Sequence, residues 1–464
     1  MCDMDYGIDA IADRISASLS GLDCEFAEVR LSAGSATTIS LSGDEIDMFT
    51  VGDTVGGSVR VLSNGSWSFV SFNNIADIGS FLKKGLSMAA KIAAGEKTKI
   101  RSTPASVARY STDTVIPAGS VSMDEKYEQL KSYNDILHSS PKVQTTRSTY
   151  RDVTGRYIYL NSEGSDLRYD RSYCGVSLAS VAKDGAVIQP FHESVSGCGG
   201  FEIVLGREEL AERVVRTAVD LLSAESAPGG THQVIADPKL AGVFIHEAFG
   251  HLSEADFVHE NPQMKKIMVL GRKFGPESLN VYDDGSVMSL PGFIPFDDEG
   301  VMPGKTALIE KGVLAGRLHS RETAEKMGEG LTGNGRALNV MRQPIVRMTN
   351  TYIERGERKP EELFESIGDG IYAVDVIGGQ TNLEMFTFTS GYGFALRNGK
   401  KGRMYKDIVL SGNVFHTLNN IGMIADDLRM FGGLGGCGKG GQGPLPVSFG
   451  GPHILINDVL IGGR

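Results

Sequence analysis

The 464-residue sequence is short of basic residues, of proline and of long apolar runs, and each shortage excludes a class of protein. There are 46 lysines and arginines against 57 acidic residues, which gives a formal net charge of -11, and no run of basic residues forms a patch. Because an acidic protein repels phosphate backbones, we do not expect a nucleic-acid partner. No stretch approaches the ~18 apolar residues that span a bilayer, so we do not expect a membrane protein.

Cysteine is also scarce. The five cysteines are an odd number spread over a long chain, which is not the pattern of a disulfide framework; they are Cys2, Cys24, Cys174, Cys198 and Cys437. The N-terminus carries acids where a signal peptide carries bases, and no apolar segment follows it. We therefore expect a cytoplasmic protein whose cysteines are buried thiols, nucleophiles or metal ligands.

Glycine is abundant, with 59 residues against 16 prolines and no repeat, which favours a strand-rich fold with many tight turns. The length exceeds one ordinary core. We predict an N-terminal α+β domain over 1–105, a central helix-plus-strands domain over 106–228 and a C-terminal catalytic domain over 229–464, with a linker over 97–122. Strands and helices do not alternate regularly, so we assign the α+β class: mixed α/β units, then a glycine-rich, mostly antiparallel domain that carries the metal-site helix.

The site chemistry is concentrated in the segment His246-Glu247-Ala248-Phe249-Gly250-His251. Upstream, Asp237 can cap a helix and Pro238 suits its first position. Two histidines and a glutamate on one helix are the groups that metal-assisted hydrolysis needs. Neutral imidazoles hold the metal, and the adjacent carboxylate takes a proton from metal-bound water.

The two histidines are one residue further apart than in the familiar HExxH zinc helix. A separation of five residues, at ~100° per residue, places His246 and His251 ~140° apart on a regular helix. Two geometries would bring them together. A π-type turn brings positions five apart onto one face, or the helix ends at Gly250 and His251 swings in from the terminal turn.

A third ligand must come from elsewhere, and the best candidate is Cys437, which is flanked by glycines. Two histidines and one cysteine leave a tetrahedral position open for water, as in catalytic zinc sites. Glu254 and Asp256 follow the motif and could accept hydrogen bonds from the ligands' second ring nitrogens; a solvated helix end is the alternative. Gly433 to Lys439 matches part of a phosphate-binding loop, but glycines follow it, so no helix can start there.

These residues resemble the TldD/PmbA family, and within it the TldD-like branch. The resemblance starts at the His246–His251 segment with Glu254 and Asp256, and spans roughly residues 230–445. It continues in order through Asp297-Asp298-Glu299-Gly300, Thr332-Gly333-Asn334-Gly335-Arg336, Arg347-Met348-Thr349-Asn350-Thr351, Gly378-Gly379-Gln380 and Cys437-Gly438-Lys439. After His251 the chain departs from the pattern, with Leu252-Ser253-Glu254 where many bacterial members have Gly-Leu-Glu.

The resemblance implies a zinc metallopeptidase, with Zn²⁺ on positions matching His246, His251 and Cys437 and with Glu247 as the catalytic glutamate. It further implies unfolded or short peptide substrates, little sequence preference, and a dimer, in many members with a PmbA-like (TldE) paralogue that lacks the zinc motif. We expect the substrate to add as an extended strand to a sheet edge. The alternative is a non-catalytic peptide-binding or assembly subunit with a structural metal, which needs a fourth protein ligand.

Four polar residues of the resembling segments could hold a peptide terminus, although structural roles in turns are the stronger expectation for most of them. They are Asn334, Arg336, Arg347 and Asn350.

Overall fold

The N-terminal part of the chain is organised around one sheet of long strands. The computed structural model describes residues 7–92 and 97–462, so Cys2 lies outside the described residues. The strands are β1 Phe26–Ser42, β2 Glu45–Ser63, β3 Ser66–Phe72, β4 Val107–Ser111, β5 Val143–Asn161, β6 Asp166–Asp184 and β7 Val187–Cys198. Their order is β3-β2-β1-β5-β6-β4, and β7 pairs with the other end of β6.

This sheet crosses the boundary that we predicted at residue 105. β1 pairs antiparallel with β5 along its length, from Glu28 opposite Asn161 to Ser42 opposite Arg147. β4 pairs in parallel with β6, so the linker prediction is wrong for Val107–Ser111. This segment has no apolar period, and it forms a strand because it pairs with β6, which is distant in the sequence. The first two predicted units therefore share one continuous sheet.

Helices cover this sheet in two separate regions. They are α1 Ile8–Leu19, α2 Ile78–Lys91, α3 Met123–Leu137 and α4 Glu208–Asp220, with single 3₁₀ turns at Ile75–Asp77, Ala118–Ser120 and Phe201–Val204. α1 and α2 bury Ile8 and Leu82 against Val29 of β1 and its neighbours. α3 and α4 bury Leu130 and Val214 in a second core around the far half of the strands.

The C-terminal domain contains two large sheets. Its strands are β8 Glu225–Ser226, β9 Gly230–Ala236, β10 Val281–Asp284, β11 Lys305–Glu310, β12 Val313–Leu314, β13 Gly335–Arg336, β14 Ile345–Val346, β15 Asn350–Ile353, β16 Asp369–Val374, β17 Gly378–Asn382, β18 Met385–Thr389, β19 Tyr392–Arg397, β20 Lys400–Lys406, β21 Val409–Asn413, β22 Ile421–Ile424, β23 Arg429–Phe431, β24 Cys437–Lys439, β25 Gln442–Leu445, β26 Ser448–Gly451 and β27 Ile454–Gly462. One sheet has the order β17-β18-β21-β27-β9-β16-β19-β20-β8, with β22 beside β27, and the other has the order β12-β11-β10-β15-β26-β23. β13 with β14 and β24 with β25 form separate pairs. Most pairings are antiparallel, so the α+β prediction is confirmed.

The helices of this domain are short. They are α5 Pro238–Ile245, α6 Ala255–Glu260, α7 Pro262–Ile267, α8 Arg321–Met327, α9 Pro360–Ser366 and α10 Val414–Asn419. Among the helices of residues 7–92 and 97–462, none is long and apolar enough to cross a membrane.

Helix α5 is buried between the two large sheets. Its Phe244 ring packs against Phe386 and Phe388 of β18, with ring centroids 5.4 and 6.0 Å apart. On another side, a Cβ on Gly242 would lie 2.7 Å from the backbone nitrogen of Gly450 in β26, so helix and strand approach without a side chain between them. A helix that is apolar all round needs such cover on every side. The sheets thereby fix the direction in which α5 delivers its C-terminal end.

Candidate metal centre

The start of α5 has the cap that the sequence predicts. The Asp237 side chain accepts a hydrogen bond of 2.8 Å from the backbone N–H of Leu240, and Pro238 occupies the first helical position. Oδ1 of Asp237 also accepts from the backbone N–H of Asp375, which ties the start of α5 to the end of β16. This double contact sets where the helix begins.

The metal motif itself forms a π-helical turn over His246–Gly250. The backbone N–H of His251 donates to the carbonyl of His246, which is the i→i+5 bond that defines such a turn. A 3₁₀ turn over His251–Ser253 follows, and the backbone of Glu254 is extended. The first of the two predicted geometries is therefore confirmed, and it explains how histidines five residues apart reach one site.

Gly250 is required by a neighbour rather than by its own backbone. Its φ of -56° is ordinary for a helix, so left-handed freedom is not the reason for glycine. A Cβ at this position would lie 2.1 Å from Sδ of Met348, whose side chain is fully buried. The π turn therefore packs directly on Met348, and no side chain fits between them.

Three potential ligands converge at the end of this turn. Sγ of Cys437, the first residue of β24, lies 3.3 Å from Nε2 of His251. The rings of His246 and His251 are 5.4 Å apart at an interplanar angle of 82°. One donor atom from each of the three residues lies within 4.8 Å of the other two. Tertiary folding thus brings together residues that are 186 positions apart in the chain.

The chemistry of this group fits a bound divalent metal. Nδ1 of His246 is buried and has no hydrogen-bond partner among the described residues, which is a costly arrangement unless another group satisfies it. Burial tends to raise the pKa of the Cys437 thiol, but hydrogen bonds with His246 and His251 lower that pKa to about 5. A thiol with this pKa is a thiolate at neutral pH, the form that binds metals. Two imidazoles and one thiolate are a donor set typical of zinc.

Glu247 lies beside this group and faces a cleft. Its Oε2 is 3.9 Å from Nε2 of His251, and its side chain is partly exposed. The cleft has a volume of about 460 Å³ and contains Glu247 and His251 in its wall. Its remaining lining residues are Leu252, Glu254, Phe257, Gly379, Gln380, Thr381, Asn382, Leu383, Gly438 and Lys439. A carboxylate and one of the three potential ligands, His251, therefore line the same cleft.

The opposite wall of the cleft is the edge strand β17. It pairs antiparallel with β18, and among the described residues no strand pairs with its other edge. Four of its five residues are exposed. Gly379 has no room for a side chain, because a Cβ there would lie 2.0 Å from the Phe388 ring. The strand is therefore an edge strand with unpaired backbone groups, and it lines the same cleft as Glu247 and His251.

The structure places the two carboxylates after the motif differently. Glu254 is buried, and its Oε2 accepts a hydrogen bond of 3.1 Å from Nδ1 of His251. Asp256 contacts no ligand; it accepts two hydrogen bonds, of 2.7 and 2.8 Å, from Nζ of Lys439. The same ammonium lies 3.1 Å from Oε2 of Glu254. Lys439 thus ties both carboxylates to the strand that carries Cys437.

The charges around His251 follow from these contacts. Burial tends to lower the pKa of His251, but the Glu254 carboxylate, followed by the Cys437 sulfur, raises that pKa well above its ordinary value. Burial also opposes ionisation of Glu254, yet His251 and then Lys439 hold the pKa of its carboxyl below the usual value. The pocket is therefore electrostatically arranged for a cation at the His251 ring.

The contacts of Lys439 and Arg347 were not predicted from the sequence. Lys439 was noted in the Cys437-Gly438-Lys439 segment of the family resemblance and in a partial phosphate-binding loop; in the structure β24 turns into β25, and no helix follows it. Arg347 is fully buried and donates to the backbone carbonyls of Cys437 (2.6 Å) and Gln442 (2.9 Å). A basic residue two positions after a candidate ligand was the available signal for Lys439, whereas nothing local indicates Arg347.

The four polar residues considered for a peptide terminus are buried and do not line the cleft. Asn334 donates to Asp283 and to the Arg347 carbonyl, both at 2.9 Å. Arg336 donates to the carbonyls of Met348 and Pro446. Asn350 donates to the Asp284 carbonyl at 2.6 Å and accepts from the N–H of Gly292. They hold loops around the site, which is the structural role that we expected for most of them.

Comparison with known proteins assigns the chain to a family. Residues 229–463 match the PmbA/TldA metallopeptidase C-terminal domain, residues 116–222 match the central domain, and residues 27–95 match domain 1. These matches cover most of the chain in the expected order. The fold and the site thus belong to a metallopeptidase family, and the chain is a member of the TldD/PmbA family.

Full-length relatives agree with this assignment. A metalloprotease of Synechocystis is 40% identical over 440 residues, which is 95% of each chain. A protein of Saccharolobus solfataricus named zinc metalloprotease TldD homolog is 30% identical, over 95% of this chain and 97% of its own. TldE from Thermococcus kodakarensis has a similar fold, with a TM-score of 0.78 at 18% identity over 98% of this chain and 100% of its own.

Proposed function

We propose that the protein is a zinc-dependent peptidase that hydrolyses unfolded or short peptides with little sequence preference. The observation that carries the proposal is the position of Glu247, which lies beside three converging metal donors and opens onto the cleft. The donor set supports zinc. The name of the Saccharolobus relative supports the same metal.

The roles of the side chains follow from their positions. A zinc ion, when bound, supplies a Lewis acid that polarises the peptide carbonyl and lowers the pKa of a water molecule. Glu247 would take the proton of the attacking water on a carboxylate oxygen and return it to the leaving amine. Glu254 accepts a hydrogen bond from the Nδ1–H of His251, and this leaves the Nε2 lone pair of that ring free to bind a metal.

The free edge of β17 supports an extended peptide substrate. A peptide that adds to a sheet edge bonds mainly through its backbone, which every sequence provides. β17 lines the same cleft as Glu247, so the scissile bond of such a peptide would lie near the donors. Recognition through the backbone accounts for little sequence preference and for a requirement that the substrate be unfolded.

The alternative, a structural metal in a non-catalytic subunit, needs a fourth protein ligand. Within residues 7–92 and 97–462, the donor group contains His246, His251 and Cys437 and no fourth member. Glu247 lies outside the group, with its Oε2 3.9 Å from Nε2 of His251. These positions favour the catalytic proposal.

A cytoplasmic location and assembly as a dimer, with a second copy or with a TldE-like paralogue, stay predictions. The family assignment supports the paralogue as a partner, since TldE has this fold. Copurification of the chain with a coexpressed paralogue, compared with the chain alone, measures this directly.

Glu247→Gln tests the proposal. We expect the variant to bind zinc as the wild type does and to cleave an unstructured peptide on the order of 100-fold more slowly or worse, because the base is lost while the ligands remain. Glu260→Gln, at the exposed end of α6, is the matched control and should keep full activity. Zinc content and cleavage are measured on the same preparations, with and without the paralogue. A zinc-loaded wild type that cleaves no peptide in either condition, or an equally active Glu247→Gln variant, contradicts the proposal.

A further inference from the structure

The segment before Cys437 has little conformational preference of its own. Residues 432–436 read Gly-Gly-Leu-Gly-Gly, and glycine loses more conformational freedom on folding than any other residue. Gly435 and Gly436 are exposed, and a Cβ on Gly435 would contact nothing within 4 Å. Contacts with other parts of the protein must therefore decide where Cys437 stands.

These contacts come from the N-terminal sheet. The backbone N–H of Leu434 donates to Oγ of Ser194 in β7 at 2.9 Å. The same hydroxyl donates to the carbonyl of Val176 in β6 at 3.0 Å, so it links the segment to two strands. The hydroxyl of Tyr173, also in β6, lies 3.2 Å from the carbonyl oxygen of Gly433 and 2.8 Å from Oγ of Ser196, and it shares its proton between these two acceptors.

Close packing accompanies these hydrogen bonds. A Cβ on Gly433 would lie 2.9 Å from Cβ and Oγ of Ser194. A Cβ on Gly175 of β6 would lie 2.6 Å from a methyl group of Leu434. Glycine on both sides of the contact thus lets the segment lie directly on the sheet, and the Leu434 side chain fills the space above Gly175.

The far end of the segment is held separately, from within the C-terminal domain. Arg347 donates to the Cys437 carbonyl at 2.6 Å, and Lys439 reaches Asp256 and Glu254. Cys437 therefore stands between an anchor in its own domain and an anchor on the N-terminal sheet. Only the exposed pair Gly435-Gly436 separates it from the second anchor.

We propose that Ser194 and Tyr173 are positioning residues that hold the Cys437 thiolate in place from the N-terminal sheet. The inference rests on the proposed function, in which Cys437 is a metal ligand. The N-terminal domains thereby contribute to the metal centre, although none of their described residues belongs to the donor group. Loosening the anchor gives the thiolate alternative positions, and the metal site loses the preorganisation that the loop contacts supply.

The test compares Ser194→Ala and Tyr173→Phe with a matched control. Ser172→Ala removes a hydroxyl of β6 that donates to the Gly199 carbonyl at 2.7 Å and does not contact residues 432–436. Zinc affinity is measured by competition with a chelator, and the cobalt-substituted proteins are compared by their thiolate-to-cobalt charge-transfer absorption. We expect each anchor variant to lose about tenfold in metal affinity and part of the absorption, as outer contacts of metal sites do. The control should match the wild type in both.

Alkylation of Cys437 by iodoacetamide, read by peptide mass spectrometry on metal-free protein, makes the test independent of the proposed function. The thiol is buried in the wild type, so we expect faster modification in both anchor variants and no change in Ser172→Ala. If the wild type binds no metal, the proposed function fails, and the alkylation rates alone decide the positioning role. Anchor variants that match the wild type in alkylation, or in metal affinity and cobalt absorption when metal binds, overturn the inference.

Discussion

Replacing Gly250 by alanine probes the contact between Met348 and the π turn over His246–Gly250. The added Cβ would meet Sδ of Met348 at 2.1 Å, far inside an ordinary contact distance. Met348 is fully buried and cannot swing into solvent. Either its sulfur retreats by more than an ångström, or the π turn over His246–Gly250 shifts away from it. A shift of the turn disturbs the two histidines, because His246 is its first residue and His251 follows its last.

The magnitude follows from two opposing effects. Alanine in place of glycine stabilises a helical position by about 0.5–1 kcal/mol. Overpacking a filled core costs about 1–3 kcal/mol. We therefore expect Gly250→Ala to lower the free energy of unfolding by about 1 kcal/mol, within a range of about 0–2.5 kcal/mol, and to weaken zinc binding as well. The second effect arises because the turn that presents His246 and His251 is displaced.

Thermal unfolding and chelator competition measure the two effects on the same samples. Gly79→Ala, in the exposed start of α2 where a Cβ would contact nothing, is the control and should be neutral or stabilising. Met348→Ala should cancel the clash, so adding Gly250→Ala to that background should no longer destabilise. The coupling between the two substitutions isolates the contact itself.

Wild-type stability and zinc affinity in Gly250→Ala would refute this reasoning. The reasoning would also be refuted if Gly250→Ala lowered stability equally in the wild-type and Met348→Ala backgrounds. Either result would mean that the turn tolerates a side chain at this position and that Met348 does not determine its shape.

Three further predictions concern the residues around the turn. Cys437→Ser should lower zinc affinity by more than the 10–100-fold typical of an outer contact, measured by chelator competition, whereas Glu254→Gln should stay within that range. Burial, the largest cause, raises the pKa of Asp237 to about 6, while its hydrogen bond from Leu240 opposes this. The folded protein thus binds the proton of the Asp237 carboxyl more tightly than the unfolded chain does. The stabilisation that comes from this proton is full below the unfolded pKa near 4 and is lost as the pH rises through 6. Asp237→Asn keeps an acceptor for the cap but has no carboxyl to titrate. The free energy of unfolding of the variant minus that of the wild type should therefore increase by up to about 3 kcal/mol from pH 4 to pH 7. If the thermal midpoints of variant and wild type differ by the same amount at both pH values, the prediction is wrong.

Local signals predicted the parts of the site that lie close together in the chain. Asp237 and Pro238 mark a helix start because capping depends on residues three positions apart. The spacing of His246 and His251 limited the backbone to two geometries, since a regular helix separates them. The choice of the π turn over a helix end depends on what packs beneath it, and Met348 lies about a hundred residues away.

Contacts between distant parts of the chain explain why the strand β4 and the contacts of Arg347 were not predicted. β4 carries no apolar period, yet it pairs with β6 because the chain returns beside that strand. Arg347 was one of four residues considered for a peptide terminus, with a structural role as the stronger expectation for most of them, and it is fully buried and bonded to backbone carbonyls. Neither outcome has a signature in the neighbouring residues.

The sequence by itself determined which residue types are available and how they are spaced, and from these it predicted which residues can bind a metal, which carboxylate can act as a base, and that two histidines five residues apart need either a π turn or a helix end at Gly250. These are properties of residue types and of spacings within one helical segment. The tertiary structure alone decided where Cys437 stands, because a glycine-rich segment has no conformation of its own and takes one from Ser194, Tyr173 and Arg347. It also decided that the edge strand β17 lines the same cleft as Glu247, since sheet order depends on pairings across the whole C-terminal domain.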